Sequence, residues 1–315
     1  MEQVVYRIRR FDGLKEFWQE YSFAHEPNKT VLWGLLKIKE TVDPSLAFVA
    51  ACRCAVCGAC AVRVNGEAVL ACETPLDALL GRFGATLVLE PLGNFPVIRD
   101  LVVDWEPKAA RLAEAKPWLM PREEFSAEAG CRQTQAEFKK INAQTNCILC
   151  GSCASECNKL STGDDDFYEP FVYTKAGKFV ADSRDGAAGE HLRPVLERGL
   201  WKCVHCQECV TKCPKRVAPA EDIAALRRES IRQGLVDNPG ARHALAFAGD
   251  ITNTGRLNET TMAVKTDGLL KSATRLPFAL RLLRRGKLNP FHFPAPVEGI
   301  DGVRAIVKAA KEAKE

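Results

Sequence analysis

The chain has 315 residues, 46% of them apolar and 27% charged, which suits a soluble globular protein with room for two ordinary domains and an extension. A net charge of +4 is too small to point to nucleic acid, and there is no run of about 18 apolar residues to span a bilayer. Any membrane association is therefore expected to come through a partner.

Residues 1–103 read as the first segment. Met1–Arg10 has no apolar signal core and already alternates like a strand at Val4, Tyr6 and Ile8, so no secretory segment is expected. Strands are predicted over Val4–Phe11 and Trp18–Ala24, joined by the turn Asp12-Gly13. A helix follows, capped by Thr30, with Val31, Leu32, Leu35, Leu36 and Ile38 as its buried stripe. After a cysteine-rich loop come a strand at Ala61–Val64, the turn Asn65-Gly66 and a strand over Val69–Cys72. Strands around one helix with a cysteine loop at the edge predict a β-grasp ferredoxin domain, left through Asn94–Asp104.

Residues 104–235 carry few strand signals and many helical ones, such as Glu221–Arg232, and read as an all-α two-cluster ferredoxin domain. The predicted fold class is thus α+β. Residues 236–315 contain no cysteine and form a basic helical extension, ending in a charged helix over Val303–Glu315. From Lys271 to Glu315 there are ten Lys or Arg against four Asp or Glu, and Leu280, Leu282 and Leu283 sit among Arg281, Arg284, Arg285 and Lys287. A docking arm for a partner subunit is the favoured reading, with a solvated helix pair and contact with anionic lipid as the alternatives.

Twelve of the fourteen cysteines fall into three sets of four. Cys52, Cys57, Cys60 and Cys72 read C-x4-C-x2-C-x11-C, the spacing of a plant-type 2Fe–2S loop. Cys147, Cys150, Cys153 and Cys157, and then Cys203, Cys206, Cys209 and Cys213, both read C-x2-C-x2-C-x3-C, the spacing of paired 4Fe–4S runs. Cysteines three residues apart in a tight turn suit one metal centre better than distant disulfide partners. Zinc is the harder alternative, but four thiolates in one short loop, twice over, favour iron–sulfur, with assembly in a reducing compartment. In two-cluster domains the fourth cysteine of each run ligates the other cluster. Cys147, Cys150, Cys153 and Cys213 are therefore assigned to a first 4Fe–4S centre, and Cys157, Cys203, Cys206 and Cys209 to a second.

Cys54, inside the first loop, and Cys131 are left over; Cys54 reads as a bystander and Cys131 as a free thiol. Gly58 is expected to let backbone amides approach the cluster. Arg53 either docks a partner or hydrogen-bonds within the loop. His205 reads as a solvated loop histidine sooner than a tuning group. His25, His191, His243 and His292 have no companions at ligand spacing. No dinucleotide fingerprint and no Ser-His-Asp set is present, so no bond-making catalytic residue is assigned.

Asp43-Pro44-Ser45-Leu46-Ala47-Phe48, Cys52-Arg53, Cys57-Gly58-Ala59-Cys60 and Asn65-Gly66 resemble the iron–sulfur subunit of succinate dehydrogenases and fumarate reductases. So do Phe95–Leu101, Asp182-Ser183-Arg184-Asp185 and Cys213-Pro214-Lys215. The resemblance covers residues 1 to about 235. It implies an electron-transfer subunit of a succinate:quinone or quinol:fumarate oxidoreductase, between the FAD of a flavoprotein and a membrane-side quinone-reactive subunit.

Three departures stand out. Most members lack a cysteine at the place of Cys206 and hold a 3Fe–4S cluster there, and full thiolate ligation is expected to lower the potential. Asn158 replaces the usual Pro, with no Trp over Lys159–Gly163, and Val204 replaces the usual His. The subunit's usual share of a quinone site is missing. These departures resemble the branch containing 8-methylmenaquinol:fumarate reductases and archaeal-type succinate dehydrogenases, whose membrane-side partner is similar to a heterodisulfide reductase subunit with CCG motifs. The expected location is the cytoplasmic membrane, peripherally on its cytoplasmic face, or on the periplasmic face if the subunit is exported with its flavoprotein. A runner-up is service to another flavoprotein, such as a 2-hydroxyacid oxidase or a heterodisulfide-type reductase. A cluster-bearing sensor is disfavoured by three linked centres and no helix-turn-helix signal.

Overall fold

The computed structural model describes residues 3–128, 130–287, 289 and 294–312; His292 lies outside them. The strands β1 (Gln3–Phe11) and β2 (Glu16–Ala24) pair antiparallel from Gln3 opposite Ala24 to Phe11 opposite Glu16. Period-two alternation turns Val4, Tyr6, Ile8 and also Arg10 inward. Asp12 closes the turn, its Oδ1 accepting from the Leu14 and Lys15 amides at 2.8 and 2.9 Å.

Helix α1 (Val31–Thr41) starts at the expected cap, where Thr30 Oγ1 accepts from the Trp33 amide at 3.4 Å. The helix lies so close to the sheet that a Cβ on Gly34 would stand 2.6 Å from the Tyr6 hydroxyl and 2.8 Å from the Phe23 ring.

Strands β3 (Ala61–Val64) and β4 (Glu67–Leu70) flank a turn in which Asn65 and Gly66 both have positive φ, the primed geometry that matches strand twist. β4 begins and ends two residues earlier than the alternation suggested, so Cys72 falls in the turn after it. Helix α2 (Leu76–Phe83) and strand β5 (Thr86–Glu90) complete this part. The sheet order is β2-β1-β5-β3-β4, with β5 parallel to β1 and antiparallel to β3. A small hairpin follows, β6 (Val97–Arg99) and β7 (Val102–Val103), with Asp100 in a left-handed conformation between them.

Asp100 ties three segments together. Its Oδ1 accepts from Arg10 Nε at 2.8 Å and from the Phe11 amide at 3.1 Å, and its Oδ2 from the Ala47 amide at 2.8 Å. Arg10, itself buried, also reaches Asp43 Oδ2 at 2.7 Å, Gln19 Oε1 at 2.9 Å and the Tyr21 hydroxyl. Hydrogen bonds from Ser45, Tyr21 and Arg10 hold the Asp43 carboxyl well below the usual range. The Asp43–Phe48 and Phe95–Leu101 motifs are thus two halves of one buried ionic knot that anchors the start of the cysteine loop. Asp100→Ala leaves a buried guanidinium short of a partner and is expected to cost about 3–5 kcal/mol. Loss of the 2Fe–2S absorbance at a lower temperature than in the wild type is the measurement that checks it.

Beyond this sheet the chain is helical: α3 (Glu106–Glu114), α4 (Gln135–Thr145), α5 (Ser152–Ser155), α6 (Pro170–Ala181), α7 (Ala188–Glu197), α8 (Glu208–Thr211) and α9 (Pro219–Arg232). Thr134 and Glu137 form a capping box at the start of α4. Phe95, Trp105 and Phe171 pack as tilted rings across the join between sheet and helices. Buried Glu169 is matched by Lys108 Nζ at 2.8 Å. Asp185, from the Asp182–Asp185 motif, accepts from the Met120 and Ala187 amides and faces buried His191 at 3.0 Å, so that motif pins neighbouring chain.

The chain divides into two compact units, residues 1–228 and 229–315. In the second, α10 (Pro239–Thr254), capped by Asn238, packs against α11 (Glu259–Ala273) and α13 (Ile300–Glu312). Buried Asp250 pairs with Lys265 and accepts from the Asn258 amide at 3.1 Å. Between α11 and α13 lies α12 (Leu276–Arg284). Among the described residues no helix is long and apolar enough to cross a membrane.

Candidate iron–sulfur sites

The first cysteine loop is folded by alternating backbone handedness. Arg53, Ala55 and Gly58 all have positive φ, and such alternation turns successive N–H groups toward one point. The amides of Cys54, Val56 and Cys57 aim at Cys52 Sγ from 3.4, 3.3 and 3.3 Å, and that of Ala55 at Cys72 Sγ from 3.2 Å. These donors, the Cys54 amide foremost, hold the Cys52 thiol down at about 6, while burial pushes Cys60 up to about 12. Cys52 is in side-chain contact with Cys57, and Cys60 with Cys72. Cys54 contributes its amide, and its own exposed thiol is pushed upward by Cys52. The Arg53 side chain is exposed at the rim.

The other two runs fold alike. In one, Leu149 and Gly151 are left-handed; in the other, His205 and Gln207 are, at the equivalent places. Each run then enters a single helical turn, α5 or α8. Two hollows result. One, with an empty volume of about 360 Å³, is lined by Cys147, Cys150, Cys153 and Cys213 together with Phe171 and Val217. The other, about 370 Å³, is lined by Cys157, Cys203, Cys206 and Cys209 with Phe167 and Ile223. The fourth cysteine of each run lines the other run's hollow. Four thiols around an apolar hollow fit a polynuclear cluster. Among the described residues, no three His, Cys, Asp or Glu side chains converge tightly enough for one ion.

Burial pushes the free thiol upward at Cys153, and at Cys209 to about 12. Backbone amides answer part of this, such as Val217 to Cys213 Sγ at 3.3 Å and His205 to Cys203 Sγ at 3.5 Å. Cys206 and Val204 are exposed, so the second hollow opens at its Cys206 side. His205 lines the hollow, with its pKa pushed down by burial and by Arg227. Cys131 lines neither hollow and lies beside Arg184.

The first site adjoins the second cysteine run. A Cβ on Gly58 would stand 2.7 Å from Cys150 Cβ and 2.8 Å from Cys150 Cα, so the first loop rests directly on the second. Asn94 Nδ2 clamps the junction by donating to the carbonyls of Ala154, Ser155 and Cys157 at 2.8, 3.1 and 3.2 Å. Arg63 Nε meets Glu156 Oε1 at 3.0 Å. Nothing in the spacing of Gly58 or Asn94 announces either contact.

One titratable group missed from sequence sits behind the first hollow. Asp222 on α9 accepts from Thr174, which lines that hollow, and from Gln144, both at 2.7 Å. Burial without a cation raises its pKa from 3.8 to about 6. The folded chain therefore holds this proton more tightly than the unfolded one, and Asp222 subtracts stability as pH rises from about 4 through 6. The full difference corresponds to roughly 3 kcal/mol. Asp222→Asn is expected to raise the melting temperature near pH 8 by an amount worth about 1–2 kcal/mol, the gain vanishing near pH 4. Melting curves of the holo-protein across that range are the check.

Residues 4–109 match the family described as a 2Fe–2S iron–sulfur cluster binding domain, and residues 143–217 match the 4Fe–4S dicluster domain family. The chain is 46% identical over 313 residues to the 8-methylmenaquinol:fumarate reductase iron-sulfur subunit of Wolinella succinogenes, covering 97% of this chain and 98% of that one. It is 38% identical to the fumarate reductase iron-sulfur subunit of Mycobacterium tuberculosis over 227 residues, covering 70% of this chain and 90% of the relative. A chain of the Mycobacterium smegmatis Sdh1 complex in the apo form shares the fold, with a TM-score of 0.65 at 21% identity, over 74% of this chain and 97% of that one.

Proposed function

The chain belongs to the family of iron–sulfur subunits of fumarate reductases and succinate dehydrogenases, and from that membership we propose how its own residues serve the complex. It is the electron-transfer subunit of such an oxidoreductase, a 2Fe–2S ferredoxin domain followed by a 4Fe–4S dicluster domain in an α+β chain. The five-stranded mixed sheet beside α1 supports a β-grasp form for the first domain.

In this reading Cys52, Cys57, Cys60 and Cys72 hold the 2Fe–2S centre, Cys147, Cys150, Cys153 and Cys213 the first cubane, and Cys157, Cys203, Cys206 and Cys209 the second. Held by these thiolates, the clusters would supply single-electron transfer between the FAD of a flavoprotein subunit and a membrane-side quinone-reactive subunit. The protein supplies ligand thiolates, amide donors to sulfur and apolar walls that exclude water, the three features that set each potential. The membrane-side partner is proposed to carry heterodisulfide-reductase-like CCG motifs, because Cys206 adds a thiolate where most of the family has none, Asn158 and Val204 stand where the usual Pro and His lie, and no Trp occurs over Lys159–Gly163. The cytoplasmic face of the membrane is the proposed location.

The observation that carries this reading is the Gly58–Cys150 contact, which sets the first loop against the second, next to the crossed hollows. The test is EPR of the anaerobically purified complex before and after succinate, then dithionite, with iron and sulfide counted. The expected result is no 3Fe–4S signal in the oxidised sample, a 2Fe–2S signal with succinate, and two interacting 4Fe–4S centres with dithionite. A full-occupancy 3Fe–4S signal in protein kept from air overturns the second ligand set.

A further inference from the structure

Helix α12 has no buried residue. Leu276, Leu280 and Leu283 recur at i, i+4 and i+7, so they share one face, and their exposures are 57%, 44% and 43%. Just before it, Gly268 breaks α11 with φ 79° and ψ 169°, and the next two side chains, Leu269 and Leu270, are 78% and 92% exposed. Phe278 adds a ring at 60% exposure. Isolated exposed leucines are ordinary, but several within one stretch mark an interaction surface.

Charge indicates what covers it. From Gly268 to Val297 the sequence holds six Lys or Arg and no Asp or Glu. Arg275 is engaged by Asp267 at 2.6 Å. Among the described residues, Lys271, Arg281, Arg284, Arg285 and Lys287 take part in no ion pair, and all five are exposed. A protein partner of mixed charge calls for acids as well as bases on such a face. An anionic bilayer calls for cations alone, flanking an aliphatic stripe that enters the headgroup boundary. A short helix of this kind lies in the interface plane and does not cross it. Helix α13 is different, since it is packed on α10.

We propose that α12, with the Leu269-Leu270 step before it, is an in-plane membrane-surface element that binds anionic lipid headgroups. The proposal is independent of what the cysteine sets carry. It concerns a contact made by this chain itself, in addition to any membrane-side subunit.

The test uses the purified complex and vesicles of phosphatidylglycerol mixed with phosphatidylcholine, against phosphatidylcholine alone. Each basic residue near an anionic surface contributes about a five-fold factor in partitioning. The combined variant Arg281→Gln, Arg284→Gln, Arg285→Gln is expected to partition on the order of 100-fold more weakly to the anionic vesicles, with no change on the neutral ones. The matching Arg→Lys variant, which keeps the charge, is expected to bind like the wild type. Cluster EPR spectra should be the same in all three, so failure here is distinct from failure of the electron-transfer reading. Unchanged vesicle binding in the Gln variant overturns the proposal. So does a Lys variant as weak as the Gln one, or loss of the membrane-side subunit from the Gln variant, which would make the occupant a protein.

Discussion

In the purified complex, Cys206→Ala is expected to convert the second cubane into a three-iron centre. Cys206 is the exposed cysteine at the open side of its hollow, so its removal leaves the buried Cys209 and the walls of Phe167 and Ile223 undisturbed. Cys157, Cys203 and Cys209 remain, enough thiolates for a 3Fe–4S cluster. The oxidised variant should show a new paramagnetic signal absent from the wild type, and lose one iron per chain. With one thiolate fewer, the potential should rise by on the order of 100 mV or more. Alanine is the right replacement because a serine oxygen can itself bind iron. Spectra and iron content identical to the wild type would remove Cys206 from the ligand set.

Gly58→Val is expected to have the second large effect, by a different route. The left-handed backbone at this position, φ +75°, costs a side-chain-bearing residue about 1–2 kcal/mol. The added Cβ also needs space that Cys150 occupies at 2.7 Å, an overlap of the kind that costs about 1–3 kcal/mol in a packed interior. The loops can satisfy both only by moving apart, which lengthens the gap between the first and second sites. Succinate should then still reduce the 2Fe–2S centre in rapid-freeze EPR, while reduction beyond it slows. Gly58→Ala should show the same pattern more weakly. Equal slowing of 2Fe–2S reduction itself would mean that the substitution had damaged the flavoprotein contact instead.

Much of this architecture is legible in local sequence because its signals are local. The Thr30 cap, the alternation of β1 and β2 and the Asn65-Gly66 turn each depend on neighbours a few residues away. The cysteine runs are equally self-announcing, since four thiols in one short loop have few alternative uses. Strand β5 was not foreseen: its five residues acquire meaning only from β1 and β3, which lie far away in the chain. The same holds for α2, eight residues between two loops. The Asp43 and Asp100 motifs carry a resemblance, and Arg10 falls on the inward side of the same alternation as Val4, Tyr6 and Ile8, but no local signal says that two acids from distant loops meet it there. Asp222 gives no sequence signal at all, because an acid on a polar helix is the commonest of patterns. Its unusual proton affinity comes from burial against α4 and α6.

The crossed hollows also bear on how the chain is made. Cys213 lines the hollow of the earlier run and Cys157 that of the later one. During synthesis the earlier run emerges while its fourth wall is still untranslated, so neither hollow can close until the last run has left the ribosome. Iron delivery to these two sites is thus expected to be a late event, and a chain truncated before Cys203 should mature neither of them.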